Sequence, residues 1–368
     1  MNDSDYMRRA IFLAKKAEGF TSPNPLVGAV IVKDSRIIGE GYHRKYGELH
    51  AERDALRSCT ESPKGADIYV TLEPCCHYGK QPPCTEAIIE AGIKRVVVGS
   101  RDPNPLVHGK GNEMLQSHGI TVETDFLREE CDAMNYVFFH YITTKTPYVV
   151  MKYAMTMDGK IAAYTGDSRW VTGTEARKRV HEDRHRYSAI MAGVGTVLAD
   201  DPSLTCRLEG KQSPVRIICD SKLRTPLSST VVETANEVRT VIATTCTDTS
   251  RHEPYINKGC EIITVNERDG HTDLRELMKK LGEKKIDSVL LEGGGTLNWS
   301  AVSQGIINRV QTYIAPKIIG GEGALSPVRG AGYERMNQAL KLSHRSIEKL
   351  GEDYLIESEV VDYVYGDN

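Results

Sequence analysis

The 368-residue sequence predicts an α/β protein built from two domains. Three observations carry that expectation. The length corresponds to two domains at ~100–200 residues each. Helical and strand periodicities alternate along both halves, as in folds that cover a mostly parallel sheet with helices. The alternation pauses once, at Lys145-Thr146-Pro147, which divides the chain into residues 1–145 and 146–368.

In the first half, Tyr6–Ala17 carries apolar residues at helical spacing until Thr21-Ser22-Pro23-Asn24-Pro25 breaks the helix. Leu26–Lys33 and Ile37–Tyr42 read as strands joined by a polar turn. Helices over Ala51–Ser58, Thr85–Ala91 and Met114–His118 then alternate with strands over Ile68–Leu72, Arg95–Gly99 and Ile120–Thr124. That order predicts a three-layer domain with helices on both sheet faces. In the second half, the β-branched runs Tyr148–Ala154, Ala189–Ala192, Val215–Cys219, Thr240–Thr244, Glu261–Val265, Ser288–Leu291 and Val310–Ala315 read as buried parallel strands. Helices are expected over Glu175–Tyr187, Asp273–Lys280 and Asn298–Gln304.

Hydrophobic residues at 40% and charged residues at 26% give an ordinary globular balance, which excludes a disordered or fibrous chain. A net charge of −3 provides no basic field to recruit nucleic acid or an acidic membrane surface. No run approaches the ~18 apolar residues of a membrane span, and the acidic start lacks the apolar core of a signal peptide. Of the nine cysteines, Cys75, Cys76 and Cys84 crowd together while the other six scatter. In a chain without an export signal, this reads as a metal or catalytic cluster plus buried thiols, in the cytoplasm.

The sharpest pattern is His50-Ala51-Glu52 followed by Pro74-Cys75 and then Cys84. One imidazole and two thiolates suit zinc and leave a fourth position for water, as in catalytic sites. Glu52 lies two residues from His50, about 200° round a helix. It therefore suits a proton carrier that reaches a water on the metal. Cys84 follows Pro82-Pro83 and opens a helix, where the dipole favours a thiolate. The pattern matches the zinc deaminase signature, except that eight residues separate the two cysteines. The competing reading is a structural zinc site, with Cys76 or His77 as fourth ligand.

Other candidates carry two readings each. Asn24 is a turn-former beside proline or an amide that contacts substrate. Leu291-Glu292-Gly293-Gly294-Gly295-Thr296-Leu297 is a tight turn or a phosphate cradle at a helix start. Gly193-Val194-Gly195-Thr196 also follows a strand, but lacks the third glycine of the dinucleotide fingerprint. The basic helix through Arg177, Lys178, Arg179, Arg184 and Arg186 is a solvated face paired with Glu175, Glu182 and Asp183, or supplies an arginine that clamps a phosphate with Arg207. Trp170 is a core aromatic or a stacking platform.

Pro23-Asn24-Pro25-Leu26-Val27-Gly28, His50-Ala51-Glu52 and the stretch from Thr71-Leu72-Glu73-Pro74-Cys75 through Gly79-Lys80-Gln81-Pro82-Pro83-Cys84 together resemble the bifunctional riboflavin-biosynthesis deaminase–reductases. Asp102-Pro103-Asn104-Pro105 and Gly109-Lys110-Gly111 extend the likeness. So do Asp158-Gly159-Lys160, Gly166-Asp167-Ser168-Arg169-Trp170, Asp200-Asp201-Pro202-Ser203-Leu204-Thr205 and Ala315-Pro316-Lys317 in the second half. The likeness covers nearly the whole chain and weakens beyond about residue 330. Two departures stand out: Cys76 where serine is expected, and Arg53 where a small apolar residue is commoner.

The resemblance implies a cytidine-deaminase-like first domain and a dihydrofolate-reductase-like second domain. The first would remove the 2-amino group of a diaminopyrimidine ribotide, with zinc on His50, Cys75 and Cys84, Glu52 as proton shuttle and Asn24 at the substrate. The second would reduce the ribosyl group to ribityl with NADPH. It implies cofactor contacts at Ala154, Trp170, Thr196, Asp200, Ser221 and the turn Gly294, Gly295, Thr296, Leu297, Asn298, Trp299 and Ser300. Substrate contacts are implied at Lys152, Ser168, Arg184, Leu204, Arg207 and Glu292. Lys222 and Arg224, just after Ser221, are candidates for the cofactor's 2′-phosphate. The resemblance also implies a homo-oligomer joined through the reductase domain. Two readings from other classes compete: a nucleic-acid-editing zinc deaminase with an accessory domain, and a non-catalytic zinc-binding regulatory protein.

Overall fold

Alternate residues along the three central strands of the first sheet are buried on opposite faces, so these strands have no wet side. Ala29 and Ile31, Ile68 and Val70, and Val96 and Val98 pack into one apolar cluster. Val30 and Val32, Tyr69 and Val97 pack into another. A period of two with both faces apolar needs helices above and below the sheet. The computed structural model describes residues 1–78, 81–104, 107 and 109–361. Gly79, Lys80 and Pro105 of the quoted motifs lie outside the described residues, as do residues 362–368 assigned to the second domain. The chain divides into two units, Met1–Lys145 and Thr146–Asn368.

The first unit runs α1 (Asp3–Lys15), β1 (Gly28–Lys33), β2 (Arg36–Tyr42), α2 (Ala51–Arg57), β3 (Asp67–Leu72), α3 (Cys84–Glu90), β4 (Arg95–Ser100), α4 (Lys110–Ser117), β5 (Thr121–Glu123), α5 (Arg128–Asp132) and α6 (Tyr136–Thr144). Its sheet has the order β2-β1-β3-β4-β5, antiparallel at β1 and parallel from β3 onward. Helix α2 lies close on β2: a Cβ at Gly41 would sit 2.2 Å from the Ala55 nitrogen. Helices α5 and α6 are absent from the sequence expectation. The α6 run Tyr-Val-Phe-Phe-His-Tyr-Ile-Thr-Thr is aromatic and β-branched, a poor helix signal that its surroundings override.

The second unit runs β6 (Tyr148–Thr156), α7 (Thr174–Arg186), β7 (Ala189–Gly193), α8 (Val194–Asp200), β8 (Val215–Cys219), α9 (Thr230–Glu233), β9 (Thr240–Thr244), α10 (Thr249–Asn257), β10 (Glu261–Thr264), the ribbon β11 (Glu267–Arg268) and β12 (His271–Thr272), α11 (Leu274–Glu283), β13 (Ser288–Leu291), α12 (Gly295–Ser303), β14 (Arg309–Ala315), β15 (Leu342–Leu350) and β16 (Asp353–Val360). A nine-stranded sheet has the order β10-β9-β8-β7-β13-β6-β14-β16-β15. It is parallel from β10 to β14, and β16 and β15 add antiparallel. Val149, Met191, Ile217 and Val241 face α11 and α12, whereas Ile190, Ile218 and Ile242 face the side of Val231, Val232 and Tyr255. The hairpin β15–β16 escaped the sequence reading because β15 is an edge strand exposed on both faces, with no apolar period to read.

Candidate active sites

His50 is the N-cap of α2 in extended conformation, so it stands one residue before the helix and not on it. Cys75 lies just beyond β3, and Cys84 is the first residue of α3. The three donor atoms lie within 4.8 Å of one another, and among the described residues neither Cys76 nor His77 joins them. His50 Nδ1 is 3.5 Å from Cys75 Sγ and 3.4 Å from Cys84 Sγ. A tetrahedral zinc ion with ordinary Zn–N and Zn–S bonds sets these atoms ~3.6 Å apart. The donor set and its spacing fit zinc.

The helix-start argument acts on the other cysteine. The Cys84 backbone N–H points at Cys75 Sγ, 3.4 Å away, not at its own sulfur. The Cys84 thiol, His50 and that amide together lower Cys75 to about 4, against the cost of burial. Cys84, donating to Cys75 and fully buried, is held well above the ordinary thiol range. Glu52 is buried beside them, and burial raises its pKa, helped by the charge on Cys75.

Three further side chains surround this centre; the sequence reading passed over Glu73 and His43 and noted Arg53 only as a departure. Glu73 accepts N–H bonds from Gly109 (3.0 Å), Gly111 (3.2 Å) and Asn112 (3.4 Å), so the residue beside Pro74-Cys75 caps the start of α4. That cap also explains why α4 begins four residues before the apolar signal at Met114. A Cβ at Gly111 would lie 2.1 Å from the Pro74 carbonyl oxygen, so only glycine permits the approach. Arg53 donates to the carbonyls of Pro82 (3.2 Å) and Pro83 (2.8 Å), fixing the segment that presents Cys84. His43 is buried and its pKa is lowered by burial. Its Nδ1 faces the Leu49 carbonyl at 3.0 Å, so Nε2 is left to accept from the Asn24 amide nitrogen at 3.1 Å. Asn24, His43, Glu52, His77 and Asn104 share a cavity of about 320 Å³, with Phe138 and Tyr141 of α6 on its wall.

The second unit holds a cavity of about 640 Å³ at the C-terminal ends of its parallel strands. At its centre is a buried ion cluster. Arg184 grips Glu292 with two bonds, Nε to Oε1 at 2.8 Å and Nη2 to Oε2 at 2.9 Å, and donates Nη1 to the Thr205 carbonyl at 3.0 Å. Lys152 Nζ stands 3.9 Å from the same carboxylate. Burial opposes the charge on Glu292, yet Arg184 and Lys152 win and hold it down to about 2. Lys152 itself is lowered by burial, which Glu292 only partly offsets. His181 is lowered to about 4 by burial and by the adjacent Arg184 and Arg207, so its imidazole is neutral at pH 7.

Ala154, Ser168, Trp170, Thr196, Asp200, Arg207 and Gly294 through Leu297 line this cavity with Lys152, Arg184 and Glu292. Trp170 is 61% exposed and stacks under Arg177 at 4.7 Å, so it is not a core aromatic. The solvated-face reading of α7 gives way at Asp183, which is buried against Arg179 and Arg186. Five expected residues have side chains elsewhere. Asn298 donates to the Pro327 carbonyl, Ser300 to the Thr296 carbonyl, and Trp299 packs on Tyr333, because α12 turns these positions away from its first turn. Leu204 is buried in the core, and Ser221 sits past the end of β8. At the glycine turn, a Cβ on Gly295 would meet Arg329 Cγ at 2.9 Å. The bare helix start, the adjoining cations and the cavity size fit a phosphate-bearing dinucleotide.

The family model of the RibD C-terminal domain matches residues 147–356, and that of the cytidine and deoxycytidylate deaminase zinc-binding region matches residues 1–100. The riboflavin biosynthesis protein RibD of Actinobacillus pleuropneumoniae is 55% identical, over 98% of this chain and 96% of its own length. The chain belongs to the RibD family. The Escherichia coli K12 RibD is 39% identical over 96% of this chain and 98% of its own. Among solved RibD structures, the deaminase/reductase of Thermotoga maritima superposes with a TM-score of 0.87 at 40% identity, covering 97% of this chain and 98% of that one. Acinetobacter baumannii RibD gives 0.88 at 35% identity, covering 98% and 99%. As a RibD protein, the chain is a bifunctional deaminase and reductase of riboflavin biosynthesis, with a zinc-binding deaminase-like domain and an NADPH-dependent reductase domain. Neither the nucleic-acid-editing reading nor the non-catalytic one is favoured. Among the described residues, no helix is long and apolar enough to cross a membrane.

Proposed function

We propose that residues 1–145 hydrolyse the 2-amino group of 2,5-diamino-6-ribosylamino-4(3H)-pyrimidinone 5′-phosphate, and that residues 146–368 reduce the ribosyl group of the product to ribityl. The observation that carries this reading is a three-donor centre beside a buried carboxylate, in a RibD chain whose other unit has a cavity built on an ion cluster and a glycine turn. The name of the Thermotoga maritima relative, which specifies the diaminopyrimidine and the uracil it becomes, supports the substrate.

His50, Cys75 and Cys84 are the zinc ligands, and zinc supplies the Lewis acidity that makes water a nucleophile at neutral pH. Glu52 takes the proton of the attacking water on its carboxylate and delivers it to the substrate, so that ammonia leaves and a carbonyl replaces the amine. Its raised pKa suits a group that must hold that proton in transit. Asn24, oriented by His43, binds substrate through its amide oxygen.

In the reductase domain, NADPH supplies the hydride. Ala154, Trp170, Thr196, Asp200, Ser221 and the turn at 294–297 bind it, while Asn298, Trp299 and Ser300 contribute through the helix they build. Lys152 and Glu292 stand at the ribose, and Ser168 and Arg207 at the substrate phosphate, where Leu204, its side chain in the core, offers only its backbone. Arg184 positions Glu292 with two of its nitrogens, and Nη1, held by Thr205, is its remaining reach toward the phosphate. The net charge of −3 supports a small-molecule enzyme without a nucleic-acid partner, the free thiols support the cytoplasm, and the exposed edge strand β15 supports a homo-oligomer joined through this domain.

NADPH oxidation by the purified protein, given the diaminopyrimidine ribotide before and after zinc removal, tests the reading. Zinc-dependent oxidation is expected. Failure to oxidise NADPH even with deaminated substrate would remove the reductase assignment.

A further inference from the structure

Resting on the reading that Arg207 meets the substrate phosphate, we infer that His181 is a positioning residue: its imidazole aims the Arg207 guanidinium into the reductase cavity and leaves that charge whole for the phosphate. Helix α7 carries the device. His181, Arg184 and His185 fall three and four residues apart, on one helix face. Each of them fastens the segment that follows Leu204. Arg184 Nη1 donates to the Thr205 carbonyl at 3.0 Å, and the Cys206 thiol donates to the His181 carbonyl at 3.1 Å. The Gln212 backbone N–H donates to His185 Nδ1 at 3.0 Å. The backbone that presents Arg207 is therefore docked on α7.

The side chain needs a hold of its own, because a long, exposed arginine otherwise samples many rotamers. His181 supplies it. Its Nε2 lies 3.3 Å from Arg207 Nε, and its Nδ1 lies 3.3 Å from the Arg207 backbone nitrogen. A neutral ring has one lone pair for these two N–H groups. The ring also donates to the Thr205 carbonyl, which puts its proton on the backbone side and the lone pair at Nε2. Accepting from Nε takes one donor of the guanidinium and leaves both Nη nitrogens for a phosphate. His181 and Arg207 line the same cavity as Ser168 and Lys152. The choice of an imidazole matters electrostatically. Arg184 is held by the carboxylate of Glu292, which offsets its charge, whereas no carboxylate pairs with Arg207 among the described residues. Burial, Arg184 and Arg207 keep the His181 ring neutral at pH 7, and Glu292 opposes them only in part. A neutral acceptor orients the cation without cancelling it.

The test is steady-state reduction of the deaminated substrate by the full chain and by His181→Asn, His181→Gln, Arg207→Ala and His181→Asn/Arg207→Ala, with calorimetric binding of NADPH to each. An asparagine amide reaches only as far as Nδ1 and keeps the backbone contact, while a glutamine amide reaches the place of Nε2 and keeps the arginine. His181→Asn is expected to raise KM about three- to tenfold, the worth of ordering one long side chain, with kcat and NADPH affinity within about twofold of wild type. His181→Gln is expected to return KM to within about twofold of wild type, and His181→Asn to add less than about twofold to Arg207→Ala. A wild-type KM in His181→Asn would overturn the inference. So would a His181→Gln KM as high as that of His181→Asn, which would make the ring a brace of the loop alone. Additive effects in the double variant would do the same, and NADPH binding weakened by His181→Asn would assign the pair to the cofactor instead. An unchanged KM in Arg207→Ala would remove the phosphate reading of Arg207 itself, a separate result from failure of the histidine to act through it.

Discussion

The two sites are built in opposite ways. The three-donor cluster and Glu52 come from residues 50 to 84, with His50, Glu52 and Cys84 at helix starts and Cys75 just beyond β3. The reductase cluster joins Lys152 on β6, Arg184 on α7 and Glu292 after β13, segments 140 residues apart from first to last. The first centre is dominated by groups that release or hold protons, the second by charges fixed against one another. The raised pKa of Glu52 suits the proton transfer proposed for the first site, and the ionised Glu292 suits the substrate positioning proposed for the second.

The contrast is broken most sharply at Glu52. Glu52→Gln should cost deamination ~10²–10⁴-fold in ammonia release, the usual worth of a general base, while reduction of deaminated substrate continues. Loss of both activities would mean that the two sites do not act independently. Glu292→Gln addresses the other site. Removing one partner of a buried, paired charge leaves Arg184 and Lys152 uncompensated, so urea unfolding of the second domain should be easier by ~3–5 kcal/mol. An unchanged midpoint would show that Arg184 finds another partner.

Glu73→Gln sharpens the comparison from the zinc side. It places an amide NH₂ against the backbone N–H groups of α4, at a cost of ~1–3 kcal/mol. Zinc content by atomic absorption should be retained while KM for deamination rises, because Asp102, Asn104 and Val107 line the cavity and the ligands do not move. Lost zinc would place Glu73 among the supports of the metal instead. The smallest effect concerns pH. His181 in the folded chain titrates at about 4 against an ordinary 6.5, so below pH 6.5 the unfolded chain takes up a proton that the folded chain refuses. Its contribution to stability is complete above pH 6.5 and is lost as the pH falls toward 4. In His181→Gln, the slope of stability with pH in that window should flatten; an unaltered slope would assign it to other groups.

Much of the fold was legible because its strands are buried on both faces and its helices carry an apolar stripe. The elements that escaped, α5, α6, α8 to α10, the β11–β12 ribbon and the β15–β16 hairpin, are short, exposed or composed against their propensity. At the His50, Cys75 and Cys84 cluster, the donor residues were legible and their environment was not. Spacing placed Glu52 off the face of His50, but only the fold shows that His50 stands outside α2 and that the Cys84 amide serves Cys75. Glu73 left a trace in the sequence, an acid beside Pro74-Cys75 with a glycine-flanked lysine at 109–111. Nothing marked its bond to α4.

The sequence by itself determined what is local: the alternation of elements, the donor residues His50, Cys75 and Cys84, and the glycine turns. These depend on neighbours a few residues away, through backbone periodicity, turn geometry and the few residue types that bind a metal. Tertiary structure alone decided which charges meet. Arg184 could have faced solvent, a phosphate or a carboxylate, and the parallel order β7-β13-β6 brings it to Glu292. The energy of a charge depends on what burial removes and what partner replaces it, and both are set by segments far apart in the chain.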